Sequence, residues 1–323
     1  EPITVTLHYA GQHIQITTAE AHFTNERQKV QIDLTKILEQ DERFGLGTNG
    51  EIRHVAWGLY AAEDLTAADG SVIPADGLLE IIYCAEKGKV TFKTDVPTDS
   101  KLYVKEYATD SHYIISDEKY PVEFAYQGQE TAVVHINVND GEPIVNELAR
   151  GNIIGKKVDE DGFTIAGAEF GLFRANETKF TKENALMTAE SNEIGIFAFL
   201  DVPLQGFIVK ELKPAPAFVP NEKLYPVTVT EDGATVEIEI ENRFITGAVQ
   251  TTKVDAEYPE NRLTGAVFEV YVDVDRNQKF DADIDKLVGE MEEVETGVYR
   301  MEDLRHNGYF MYEKTSPEGF LKD

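Results

Sequence analysis

Hydrophobic and polar residues alternate with period two along most of this chain. In VTVTEDGATVEIEIENRF (227–244), Val236, Ile238, Ile240, Asn242 and Phe244 share one parity, while Glu237, Glu239 and Glu241 share the other. Successive strand side chains point to opposite faces, so this spacing predicts a half-buried antiparallel strand after a turn at Asp232–Gly233. Similar strands are expected within 120–138 (YPVEFAYQGQETAVVHINV) and 2–18 (PITVTLHYAGQHIQITT). Helical spacing is scarce, with short helical turns expected only at 58–66 and 181–190. The fold class is therefore all-β.

The pattern also repeats at a larger scale. WGLYAAED (57–64) aligns with FGLFRANE (170–177) and FEVYVDVD (268–275). LYVKEYATD (102–110) aligns with FIVKELKPA (207–215) and YFMYEKTSP (309–317), and GNIIGKKVDEDG (151–162) with GAVQTTKVDAEY (247–258). Internal repeats of this kind signal tandem units. The expected units are 26–149, 150–245 and 246–323, with residues 1–25 as terminal strands of a preceding or neighbouring unit. The short boundaries near Asn146–Gly151 and Asn242–Gly247 favour a stiff rod over a flexible string.

Polar residues recur on the apolar parity of these strands. Lys36 follows Val30, Ile32 and Leu34 at every second position. Glu106 follows Leu102 and Val104, Glu211 follows Phe207 and Val209, and Glu313 follows Tyr309 and Met311. An Asn stands eleven positions before a Lys three times: Asn25 and Lys36, Asn146 and Lys157, Asn242 and Lys253. Lys leads Glu by 70, 54 and 60 positions in the three units, so loops vary while roles stay in order. Buried Lys and Glu are costly unless paired or neutralised. Desolvation lowers a Lys pKa and raises a Glu pKa, which would set a neutral amine beside a protonated acid. Such an amine can attack an Asn side-chain carbonyl while the acid polarises it and moves protons as ammonia leaves. The product is a Lys–Asn isopeptide bond. The alternative reading is a buried salt bridge with a hydrogen-bonded Asn.

Composition narrows the function. The formal net charge of −29 argues against nucleic acid and anionic membranes as partners. No apolar run reaches the length of a membrane span, and no signal peptide or sorting signal is recognisable, so the chain reads as a mature fragment. The lone Cys84 cannot form an intrachain disulfide, so a stable extracellular β-protein of this kind would need another covalent staple.

KVDEDGFTIAGAEFGLFRA (157–175), VKELKPAPAF (209–218) and EIENRF (239–244) resemble the SpaA/Cna-B-type domains of Gram-positive pilins and adhesins. So do KVDAEYPENRLTGAVFEVY (253–271) and YEKTSPEGF (312–320). The resemblance implies tandem reversed immunoglobulin-like β-sandwiches, with Lys on the first strand, Asn on the last and Glu on the facing sheet. Carried over, the triads are Lys36/Glu106/Asn146 and Lys157/Glu211/Asn242. The first unit departs from the pattern: KILEQDERFGLGTNG (36–50) lacks the Lys-x-Asp start. Lys156 neighbours Lys157 but has the parity of Ile154. The resemblance also implies a cell-surface, wall-associated setting, with no turnover as an enzyme beyond autocatalytic bond formation.

The frame of the repeats is split. EPITVT (1–6) aligns with YPVTVT (225–230), so residues 1–25 read as final strands of a unit, whereas the third unit has Lys253 and Glu313 without a following Asn. Addition of residues 1–25 to the third unit of a neighbouring copy would unite Asn25 with Lys253 and Glu313. One repeat excised from a tandem array, or a permuted numbering, explains the same frame.

One acidic loop has a cation-like spacing. Asp273, Asp275, Asn277 and Asp281 occupy positions 1, 3, 5 and 9 of a calcium loop, with Asp283 or Asp285 in place of the terminal Glu. Calcium is therefore a possible ligand, and an acidic surface turn is the plain alternative. His8 and His13 lie across a turn without a third zinc ligand. No phosphate loop, nucleophile elbow or Ser-His-Asp arrangement is present. The sequence thus predicts a structural stalk or pilus-like subunit hardened by isopeptide bonds. An adhesin whose first unit binds a host protein or glycan is the alternative. A third reading is an accessory module of an extracellular enzyme.

Overall fold

In a computed structural model, the structure describes residues 2–6, 21–67 and 69–322. The described residues are built from β-strands, with only two short 3-10 turns, at Glu51–His54 and Val138–Gly141. No helix among them is long and apolar enough to cross a membrane. The expected strand over 2–18 falls mostly on residues outside those described. Residues 2–6 and 21–28 are outside any strand.

The chain divides into two compact units, 1–148 and 149–323. In the first, the strand Lys29–Leu38 pairs with Lys89–Phe92 antiparallel and with Val133–Asn137 and Ile144–Asn146 in parallel. A second sheet runs in the order Leu78–Tyr83, Ala56–Ala61, Ser100–Ala108, Lys119–Phe124. Every second residue of Lys29–Leu38 is buried, from Val30 through Ile32, Leu34 and Lys36 to Leu38. The parity therefore faces the core as the sequence predicts, and it carries Lys36 in with it.

The second compact unit holds two further pairs of sheets. In 150–242, Arg150–Asp159 lies between Ile196–Pro203 and Thr235–Asn242. The other sheet runs Met187–Glu190, Glu169–Arg174, Gly206–Lys213, Tyr225–Thr228. Its core is aromatic: Phe170, Phe173, Phe197, Phe199 and Phe207 are all essentially buried. In 246–315, Thr246–Thr252 pairs with Val298–Arg305, and Val267–Val272 lies between Lys286–Glu290 and Tyr309–Thr315. Ala266, Phe268, Val270, Met291, Tyr299 and Leu304 form the core there. Arg305 ties the two sandwiches together: its guanidinium covers Phe244 at 4.1 Å and pairs with Asp161 at 2.7 Å.

Two local expectations need correction. The segments 58–66 and 181–190 are not helical: Ala56–Ala61, Leu65–Thr66 and Met187–Glu190 are strands. Buried Trp57 and Leu59 are held by strand pairing on both sides, which overrides weak local spacing. The strand Thr235–Asn242 alternates as predicted but pairs in parallel with Arg150–Asp159, not antiparallel. Alternation reports which face is buried and is blind to the direction of the neighbour.

Candidate cross-linking site

The first and last strands of each sandwich set the site. Lys36 stands opposite Ile144, and Leu38 opposite Asn146, in the parallel ladder. Lys157 stands opposite Ile240, and Asp159 opposite Asn242. In both, Asn lies two positions beyond the partner of Lys, hence on the same face. The Glu enters from the facing sheet, Glu106 on Ser100–Ala108 and Glu211 on Gly206–Lys213.

In the first unit, Lys36 Nζ donates to Asn146 Oδ1 at 2.5 Å, and Asn146 Nδ2 donates to Glu106 Oε1 at 2.7 Å. Lys36 Nζ lies 3.6 Å from Glu106 Oε1, and both side chains are fully buried. Asn146 Nδ2 also donates to Thr109 Oγ1. In the second, Asn242 Nδ2 donates to both oxygens of Glu211, at 2.8 and 3.1 Å. Lys157 Nζ is 3.5 Å from Glu211 Oε1 and donates to the Ile240 carbonyl at 3.2 Å. Asn242 Oδ1 is buried without a hydrogen-bond partner. An orphaned buried carbonyl costs roughly 1–3 kcal/mol, so this amide is left unsatisfied on the same Glu211 that Lys157 faces. Burial pushes both amines below the ordinary Lys value, opposed by the neighbouring Glu106 and Glu211. A lowered ammonium pKa raises the fraction of neutral, nucleophilic amine.

Lys156 is exposed and pairs with Glu239 at 3.4 Å, which leaves the buried position beside Glu211 to Lys157. In the third sandwich, Lys253 Nζ lies 2.9 Å from Glu313 Oε1, with both side chains largely buried. Asn25 is exposed and outside any strand.

Three supporting features escaped the sequence reading. An aromatic stands opposite each Glu across the sheet: Trp57 with Glu106, Phe170 with Glu211 and Phe268 with Glu313. Each follows a register shift in its strand. Lys36 Nζ lies 5.4 Å from the Trp57 ring centroid, and Phe170 stacks on Phe197 at 3.8 Å. The Trp57 ring adds to the burial of Lys36 that lowers its pKa. The repeats had placed these aromatics in register, but not across from Glu.

The second feature is a backbone anchor for the carboxylate. Ser116 N–H donates to Glu106 Oε2, and Asn221 N–H donates to Glu211 Oε2, each at 2.8 Å. Both donors lie ten positions after their Glu, in loops whose sequences differ. The third is a glycine against each Lys. The amides of Lys36, Lys157 and Lys253 donate to the carbonyls of Gly88, Gly195 and Gly297. All three glycines have positive φ, between 64° and 74°, and a Cβ on any of them would crowd the carbonyl oxygen of the facing Lys. The signal was in the sequence as EKGKV, NEIGIF and ETGVY, three turns at matching places.

The acidic loop is grouped differently from its spacing. Carboxylate oxygens of Asp273, Asp275 and Asp285 lie within 4.8 Å of one another. Asp281 and Asp283 are exposed and lie outside this group, and Asn277 Nδ2 donates to Asp275 Oδ2 at 2.6 Å. The turn Asp281–Asp285, closed by Asp285 N–H on the Asp281 carbonyl, brings Asp285 inward. Three carboxylates are a hard, anionic donor set that fits a calcium ion in kind.

Comparison with known proteins agrees with this architecture. Residues 151–243 match the SpaA family model, a prealbumin-like fold domain. No curated protein sequence matches the chain. The chain is similar to the solved Bacillus anthracis TIE protein at 16% identity, over 92% of this chain and 47% of that one, with a TM-score of 0.62. That likeness shows the fold, and the chain spans about half the length of that protein. A streptococcal ancillary pilin matches at 16% identity over 91% of this chain and 92% of its own, with a TM-score of 0.28. BcpA, the major pilin subunit of Bacillus cereus, matches at 10% identity over 68% of this chain and 100% of its own, with a TM-score of 0.27.

Proposed function

We propose that this chain is a structural segment of a Gram-positive surface stalk or pilus, hardened by isopeptide bonds that its sandwiches form without any other enzyme. The reading rests on one observation, the Lys–Glu–Asn arrangement that recurs with the same strand register in two sandwiches. The SpaA-type match over 151–243 supports the setting on the cell surface.

The chemistry follows from the geometry. Lys Nζ attacks Cγ of Asn, a C–N bond forms, and the Cγ–Nδ2 bond breaks. Glu relays the amine proton to Nδ2, which already faces it, and the nitrogen leaves as ammonia. Fixed positions in a dry site replace an encounter in water. The bond joins the first strand to the last, so a pull on the two ends of a sandwich loads a covalent link rather than a hydrogen-bond ladder. Intact mass tests this: each bond removes ammonia, about 17 Da. Two losses are expected, mapped to Lys36–Asn146 and Lys157–Asn242, and an unmodified mass refutes the proposal. For Asp273, Asp275 and Asp285 we propose calcium, supported by their convergence on one point.

A further inference from the structure

The two buried triads differ in what holds the amide nitrogen of Asn. In the second, both hydrogen bonds from Asn242 Nδ2 go to Glu211, and Asn242 Oδ1 is left without a partner. In the first, the bonds are divided: Asn146 Nδ2 donates to Glu106 Oε1 at 2.7 Å and to Thr109 Oγ1 at 2.9 Å. An amide nitrogen has two donors, and each has its own acceptor here. That division turns Asn146 Oδ1 toward the Lys36 amine, which donates to it at 2.5 Å. The contact is particular to the first unit. LYVKEYATD (102–110) aligns with FIVKELKPA (207–215), so Thr109 corresponds to Pro214 and Asp110 to Ala215. A proline side chain has no polar atom, so the second triad has no such acceptor at that place.

The surrounding loop holds Thr109 in place. The strand Ser100–Ala108 ends one residue before it. The next residue, Asp110, is buried and hydrogen-bonds through its two oxygens to His54 Nδ1 and His112 Nδ1, each at 2.6 Å. The His112 N–H donates to Asp110 as well. Further along, Tyr113 O–H donates to the Glu39 carbonyl at 2.9 Å, and Ile114 N–H to the Glu147 carbonyl at 3.0 Å. The loop is thereby tied to the chain just past the strands that carry Lys36 and Asn146. A hydroxyl fixed in this way needs no rearrangement during a reaction.

We propose that Thr109 is a further catalytic residue of the first triad, whose Oγ1 accepts from the nitrogen that leaves. This rests on the isopeptide chemistry proposed above. As Lys36 Nζ bonds to Asn146 Cγ and the Cγ–Nδ2 bond breaks, Glu106 passes the amine proton to Nδ2, which departs as ammonia. Nδ2 gains positive character when it takes that proton. Its hydrogen bond to Thr109 Oγ1 then becomes charge-assisted and strengthens. A bond that is stronger in the transition state than in the ground state speeds the chemical step. One hydrogen bond of this kind corresponds to about tenfold in rate.

The test follows both bonds in the full chain as it is made. A pulse of heavy lysine in cell-free synthesis, chased with light lysine, marks a cohort of new chains. Samples quenched in denaturant at intervals are digested, and mass mapping gives the bonded fraction at Lys36–Asn146 and at Lys157–Asn242. Thr109→Val keeps the shape and removes the acceptor, so the first bond should form about tenfold more slowly while the second keeps its parent rate. Thr109→Ala should slow the first bond equally, and Thr109→Ser should restore it to within about twofold. Emission of Trp57, the only Trp in the chain and buried beside Lys36, should match the parent in the purified variants, which separates chemistry from misfolding. A parent rate in both Thr109→Val and Thr109→Ala overturns the inference and leaves the proposed function standing. So does a first bond that Thr109→Ser fails to restore, or a slowing that comes with altered Trp57 emission or a slowed second bond. Absence of both bonds from the parent refutes the proposed function itself, and this inference with it.

Discussion

Removal of the proposed second cross-link without leaving a buried charge isolates what that bond would contribute. Lys157→Met/Glu211→Gln does this, since both side chains are fully or almost fully buried and paired only 3.5 Å apart. Exchange of a buried ion pair for groups of similar shape is often close to neutral, whereas Lys157→Met alone strands a buried carboxylate at about 3–5 kcal/mol. The proposed bond would close the 85 positions from Lys157 to Asn242 (242 − 157). A loop of that size loses unfolded-state entropy worth ~4–5 kcal/mol on the chain-entropy account. In a unit of the size of 149–323, each kcal/mol moves the melting point by about 2–4 °C, so a fall of roughly 10–20 °C is expected. Calorimetry reads the melting point, and intact mass on the same samples confirms that one ammonia loss has disappeared. Asn242→Ala should lose the same bond and melt at least as low, since it also strips two hydrogen bonds from Glu211. A double variant within about 2 °C of the parent, with the parent shown to be bonded, would refute the claim that the bond secures the fold.

Other consequences are open to measurement. Gly195→Ala places a methyl against the Lys157 carbonyl at positive φ, so it should destabilise by at least ~1 kcal/mol and slow bond formation in a mass time course after refolding. Trp57→Ala removes the ring beside Lys36 and should cost about 3–5 kcal/mol in denaturant titrations of a chain that cannot cross-link there, such as one carrying Asn146→Ala. For the pH dependence, the folded Lys157 value lies below the unfolded 10.5, so the unfolded chain holds more protons in that window. Stability of Asn242→Ala should therefore rise with pH from the folded value toward 10.5, relative to Lys157→Met/Asn242→Ala, and a falling difference would contradict the burial argument. Calcium should raise the melting point of the chain, and Asp273→Asn/Asp285→Asn should remove that shift, with unchanged curves counting against the site.

The fold and the buried polar residues were legible because alternation converts directly into burial. Lys36, Lys157, Glu106 and Glu211 stood on apolar parities in the sequence, and all four are buried. The Asp loop was legible only in part, because spacing placed Asp281 in the set and left Asp283 and Asp285 as alternatives, and a turn brings in Asp285 alone. The anchoring amides of Ser116 and Asn221 left no trace, since any residue but Pro supplies an N–H.

By itself the sequence determined the all-β class, the repeats, and which polar side chains enter the cores, because period two and chain order are local properties. Only the tertiary structure decided what those side chains meet. The parallel pairing of first and last strands puts Asn two positions past the partner of Lys, and the facing sheet delivers Glu with an aromatic beside it.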